Sequence, residues 1–130
     1  MPVPQTTSVE VRQSTLYWRN TSFEVSVEEA KAIADEIRER MSRPTVDSIL
    51  VDNRDASGVW PTEVDAVWNE LMADIYAEGV PCATICASVS NALQIDRLSK
   101  DNDTDDLIKA FEPSEETEAL EFVDAATLQV

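Results

Sequence analysis

Ser48-Ile49-Leu50-Val51-Asp52-Asn53-Arg54-Asp55-Ala56-Ser57-Gly58 is the stretch that decides how this chain folds. Its apolar run is too short for a helix and stops abruptly at Asp52 and Asn53. That pattern predicts a central strand covered on both faces, with a polar loop at its carboxyl end. Such a strand needs amphipathic helices before and after it to supply the cover.

Both helices are legible. Upstream, Ser26-Val27-Glu28-Glu29 is a capping box, in which the serine hydroxyl and the glutamate carboxylate satisfy each other's backbone N–H groups at a helix start. Ala30, Ile33, Ala34, Ile37 and Met41 then form one apolar stripe until Pro44 stops the helix. Downstream, Pro61 precedes Val64, Val67, Trp68, Leu71, Met72, Ile75 and Tyr76 at helical spacing, which predicts a second helix with Trp68 buried on its stripe.

Farther out the alternation continues. Gly79-Val80-Pro81 closes the second helix and leads into Cys82-Ala83-Thr84-Ile85-Cys86-Ala87, a small-residue strand. Ser88 or Ser90 caps a further helix through Leu93 and Leu98 to about Lys100. A polar loop at 101–106, a strand at 107–111 and a last short helix from Ser114, using Ala119, Leu120, Phe122 and Val123, complete the series. At the front, β-prone stretches at 9–12 and 16–19 flank Gln13-Ser14-Thr15 and predict a hairpin. The expected fold is therefore mixed α/β: a largely parallel sheet of four to five strands with an antiparallel edge, right-handed crossovers and amphipathic helices. One domain is expected over 8–123, between a loose lead-in at 1–7 and a flexible tail at 124–130.

Composition narrows the partners. A chain of 130 residues that is 43% hydrophobic can bury one core, despite a net charge of -16 from 26 Asp and Glu against 10 Lys and Arg. That charge repels phosphate backbones and anionic lipid head groups, so neither nucleic acid nor membrane is expected as a partner. The acidity fits a saline host, a lineage bias or an acidic docking face. No apolar run approaches the roughly 20 residues of a membrane helix and the start lacks a basic-then-apolar leader, so the expected location is cytoplasmic. Cys82 and Cys86 lie about 13 Å apart along one strand, beyond disulfide reach, and are expected as free buried thiols.

Chemistry is narrowed further. With no histidine, Ser-His-Asp and Cys-His catalysis and the common zinc sites are excluded. With only Gly58 and Gly79, no glycine-rich loop can cradle phosphates. A carboxylate pair remains open as acid–base chemistry, but among 26 acidic side chains any two look paired. The chain is thus expected to be no enzyme, with no catalytic residue, cofactor or metal assigned. Asp101-x-Asp103-x-Asp105 with Ile108 and Glu112 matches the spacing of a calcium loop, yet Asp106 stands where glycine belongs and Pro113 blocks the exit helix. A solvated acidic loop is the simpler account. Trp18, Trp60 and Trp68 could line a pocket for a hydrophobic ligand, although core packing is the commoner fate of tryptophan, and Trp60 is the one expected to be exposed. Arg54, Asp55 and Trp60 lie near the carboxyl end of the central strand, where open α/β sheets place their sites.

Three places resemble the SpoIIAA-like group, part of or close to the STAS fold and best known for bacterial anti-sigma factor antagonists. They are Ile-Leu-Val-Asp-Asn-Arg-Asp-Ala-Ser-Gly at 49–58 with its helix, Cys-Ala-Thr-Ile at 82–85, and Ile-Lys-Ala-Phe at 108–111 followed by Glu-Ala-Leu at 118–120. With the capped first helix they cover most of the chain. In the antagonists a serine in the loop after the central strand is phosphorylated to switch partner binding; the matching residues here are Asp55-Ala56-Ser57-Gly58, with Trp60 and Pro61 in place of small apolar residues. The resemblance implies a non-catalytic regulatory domain that meets a protein partner through Arg54, Asp55, Ser57, Gly58, Trp60 and the following helix. Ser57 is then the phosphoacceptor, its phosphate favoured by a helix amino end. The alternatives are a binder of a small hydrophobic, lipid-like ligand under the second helix and a calcium module at 101–112. An exposed edge strand and apolar helices make a homodimer the natural self-association.

Overall fold

The computed structural model describes residues 3–58, 60–88, 93 and 107–128. Its elements in chain order are β1 (Thr7–Arg12), β2 (Thr15–Asn20), α1 (Val27–Met41), β3 (Ser48–Asp52), a 3-10 turn (Thr62–Val64), α2 (Asp65–Ala77), β4 (Cys82–Ile85), β5 (Ile108–Phe111) and α3 (Glu116–Leu128). The strands form a single sheet in the order β1-β2-β3-β4-β5. β1 and β2 make the expected hairpin, turned at Gln13, and each later pairing is parallel. The antiparallel edge on a largely parallel sheet is as the sequence indicates.

Register sorts the side chains onto two faces. Leu16 pairs with Ile49 and Ile49 with Cys82, while Trp18 pairs with Val51 and Val51 with Thr84. Because successive side chains alternate, these residues face one way and pack beneath α1 and α2, whereas Leu50, Ala83 and Ile85 face α3 with Ala119 and Val123. β3 is thus covered on both faces, which is why its run is unbroken.

α1 follows its sequence closely. Ala30, Ile33, Ala34, Ile37 and Met41 are all buried. Its capping box is closed by Glu29 N–H donating to Ser26 Oγ at 3.1 Å and Ser26 N–H donating to Glu29 Oε1 at 2.9 Å. Ser26→Ala should therefore cost about 1 kcal/mol, read as a lower urea midpoint at unchanged m-value. No change in midpoint would mean that water replaces the cap.

α2 departs from its stripe on one side. Val64, Val67, Leu71 and Ile75 are buried, but Trp68 and Met72 are only half-buried and Tyr76 is 38% exposed. The full burial expected of Trp68 is therefore corrected: it and Met72 border an open cleft, so part of each has no wall to pack on. Gly79, at φ +70°, ends the helix and donates its N–H to the Tyr76 carbonyl at 2.9 Å. β4 stops at Ile85, and Cys82 and Cys86 are both buried and unbridged.

α3 runs on to Leu128, through most of the stretch expected to be a flexible tail. The helix expected through Leu98 and Lys100 and the acidic residues Asp101, Asp103, Asp105 and Asp106 lie outside the described residues. The described part of the calcium-like spacing, Ile108–Phe111, is a strand. Among the described residues no group of acidic or cysteine side chains could hold a metal ion, and no helix is long and apolar enough to cross a membrane.

Candidate functional site

The loop after β3 is held mainly by backbone. Ala56 N–H donates to the Asn53 carbonyl at 3.0 Å, Phe23 N–H to the Ser57 carbonyl at 2.9 Å, and Ser57 N–H to the Thr21 carbonyl at 3.3 Å, so Ser57 forms a short parallel bridge with Ser22. Gly58 has φ +83°, and a Cβ there would lie 2.8 Å from Glu24 Cγ. Both facts favour glycine at that position.

The residues expected to make one site are dispersed by this geometry. Arg54 donates to Asp52 from Nε at 3.0 Å and Nη2 at 2.9 Å, and its Nη1 lies 3.3 Å from Glu116 of α3. Asp55 accepts from Arg19 Nη2 at 2.6 Å. Trp60 turns to the other face of the sheet, meeting Phe23 edge-on at 5.4 Å and donating from Nε1 to Asp65 Oδ1 at 2.6 Å. It is half-buried, not the exposed contact expected of it. Ser57 is exposed and belongs to the loop; the 3-10 turn begins only at Thr62 and α2 at Asp65, so no helical first turn includes it.

The Arg54–Asp52 pair has an electrostatic consequence. Hydrogen bonding from Arg54 holds the Asp52 carboxyl below its ordinary value of 3.8, outweighing the opposite push of partial burial. Arg54 is pushed further up, chiefly by the same bond. A carboxyl with a depressed folded-state pKa adds stability above its unfolded pKa, and that stability is lost as pH falls through the folded value. In Arg54→Met the push of burial is opposed only by the weaker attraction of Arg19, so the Asp52 titration should move upward and acid unfolding should begin at a higher pH. Carboxyl-carbon NMR of both proteins checks this; an unmoved Asp52 titration would refute it.

The concave feature lies elsewhere, between α2 and the sheet. It is a half-open cleft of about 90 Å³ on which Trp18, Trp60 and Trp68 converge, with Phe23, Met72 and Ile75 completing much of the apolar wall. Trp18 and Trp68 meet at 5.6 Å with their planes inclined by 50°. No charged side chain among the described residues lines it. Cys82 lines it as a neutral thiol, since burial pushes its pKa up to about 12.

Asn20, Ser22, Asn53 and Thr84 are the polar members of the wall. Asn20 Nδ2 donates to Asn53 Oδ1 at 2.8 Å. Neither asparagine stands out in the sequence, where each reads as a residue that merely ends a strand. They meet because β2 and β3 run parallel with Arg19 opposite Asp52, which places the following residues side by side. No local spacing could reveal a pair that lies 33 residues apart.

Neither a family model nor a curated protein sequence matches the chain. Among solved structures, the NMR structure of the protein TM1081 is similar over 89% of this chain and 86% of its own, with a TM-score of 0.61 at 15% identity. A crystal structure of a putative enoyl-CoA hydratase/isomerase family protein from Hyphomonas neptunium is similar over 95% of this chain and 76% of its own, with a TM-score of 0.55 at 11% identity. At such identities the likeness is one of fold, and the chain has a mixed α/β fold built on a five-stranded, mostly parallel sheet.

Proposed function

We propose that this chain is a non-catalytic binding module that takes a small, mainly apolar ligand into the cleft beneath α2. The observation that carries this reading is the convergence of all three tryptophans on one half-open, mainly apolar cleft between α2 and the sheet. The chemistry of the wall favours binding over catalysis: its thiol is held neutral and its remaining polar groups are amides and hydroxyls. Single-ring apolar additives should raise the melting temperature and change tryptophan fluorescence together, since a ligand stabilises the state that binds it. Met72→Trp, which fills the cleft from a half-buried position, should abolish both responses in a folded protein. Absence of both responses up to the solubility limit of the additives would end this reading.

A second reading follows the SpoIIAA-like resemblance and places a protein partner on the loop after β3. The observation that favours it is the exposed Ser57, whose backbone is fixed on both sides while its hydroxyl makes no hydrogen bond among the described residues. Extract from the source cells with labelled ATP should then place phosphate on Ser57 and none on the Ser57→Ala protein. Labelling elsewhere, or none, removes Ser57 as a switch.

A further inference from the structure

The orientation of one buried amide can be worked out from its neighbours. The indole Nε1–H of Trp18 is only a donor, and it lies 3.0 Å from Asn20 Oδ1. Thr7 Oγ1 donates to the same oxygen at 2.9 Å. The indole bond fixes which end of the Asn20 amide is oxygen, so its Nδ2 is the end facing Asn53, and the Asn53 atom receiving it is Oδ1 at 2.8 Å. The Asn53 Nδ2 group is therefore turned away from Asn20.

That NH2 group has no partner among the described residues. Asn53 is 4% exposed and lines the cleft, and no hydrogen bond to its Nδ2 exists among the described residues. Buried donors are satisfied in the great majority of cases, and one left open at the wall of a cavity marks a place where something else accepts. Trp18 and Thr7 both donate into the chain of amides, so each bond polarises the next and strengthens the last donor.

We propose that Asn53 Nδ2 is the recognition group of the cleft, donating to a neutral hydrogen-bond acceptor, such as a carbonyl oxygen, on a ligand whose apolar part lies against the tryptophans. This rests on the reading of the cleft as a ligand site and specifies the ligand's chemistry. Neutrality follows from the wall, which offers no cation to balance an anionic head group, in a protein of net charge -16. A cationic ammonium head group brings no acceptor for Asn53 Nδ2 to donate to. Size follows from the volume: about 90 Å³ admits one ring or a short branched chain, with any remainder leaving through the open side.

Four single-ring probes differing in one group test this: ethylbenzene, acetophenone, benzoate and benzyltrimethylammonium, with dissociation constants read by tryptophan fluorescence and calorimetry. Acetophenone should bind about tenfold more tightly than ethylbenzene, the fold-change of one hydrogen bond to a buried donor, and both more tightly than the charged probes. In Asn53→Leu the affinity for acetophenone should fall to that for ethylbenzene. Should that variant fail to fold, the Asn53 side-chain amide protons of the unaltered protein decide: acetophenone must shift them downfield and ethylbenzene must not. Equal binding of ethylbenzene and acetophenone, or unmoved amide protons, overturns the role of Asn53 and leaves the cleft as a ligand site. Tightest binding of either charged probe overturns the neutral-acceptor specificity, and no binding of any probe overturns the cleft itself.

Discussion

Raising the salt concentration from about 0.01 M to about 1 M should stabilise this protein by on the order of 5 kcal/mol, because the Debye length falls from about 30 Å to about 3 Å and like charges cease to repel across the folded surface. The net charge of -16 is the source of that repulsion, which unfolding relieves by spreading the charges over a larger volume. The available cations do little to offset it. Arg12, Arg19, Arg38, Arg40, Arg43 and Arg54 are each already within an ion pair, so they neutralise local carboxylates and leave the excess untouched. Salt weakens those pairs as well, but exposed pairs are worth about 0–1 kcal/mol each, less than the summed repulsion they stand against. Urea midpoints measured across a potassium chloride series check the sign and the size. A flat series would show that the carboxylates are too far apart on the surface to matter, and a falling one that the ion pairs outweigh their repulsion.

Ile49→Ala should remove about 4 kcal/mol, a large part of the roughly 5–15 kcal/mol that holds a domain of this kind together. Ile49 has no exposed surface, lies on the central strand and sits between Leu16 and Cys82 in the register. Its N–H donates to the Pro81 carbonyl at 2.9 Å, so the backbone cannot move in to fill the space left by the lost side chain. Transfer and cavity terms therefore add. Chemical denaturation at constant m-value gives the measurement, and a loss under about 1.5 kcal/mol would mean that α1 and the sheet close over the gap. Leu50→Ala, on the smaller face under α3, should cost less because Leu50 retains 6% exposure and has fewer buried neighbours to lose.

What the sequence made legible divides along the range of the forces involved. The capping box of α1, its five buried positions, the β1–β2 hairpin and the three parallel strands all depend on neighbours within a few residues or on simple alternation, and all stand where expected. The stripe of α2 was legible as a helix but not in its burial. Periodicity tells which side of a helix is apolar, and it cannot tell whether the opposite wall is complete; Trp68 and Met72 face the place where it is not. The same limit applies to the loop after β3. Asp55 looks free in sequence because its partner, Arg19, comes from a distant part of the chain, and the second carboxylate beside Arg54, that of Glu116, is equally distant, although its first, Asp52, is local. The amides of Asn20 and Asn53 depend on the β2–β3 register, which only the assembled sheet fixes.

The order of the strands in space repeats their order along the chain. As the polypeptide leaves the ribosome, each new strand can therefore join the outer margin of what has already assembled, and no settled pair has to be prised apart to admit a latecomer. Growth from one margin keeps loop closure short at every step, and the hairpin, which precedes the other strands, serves as their template.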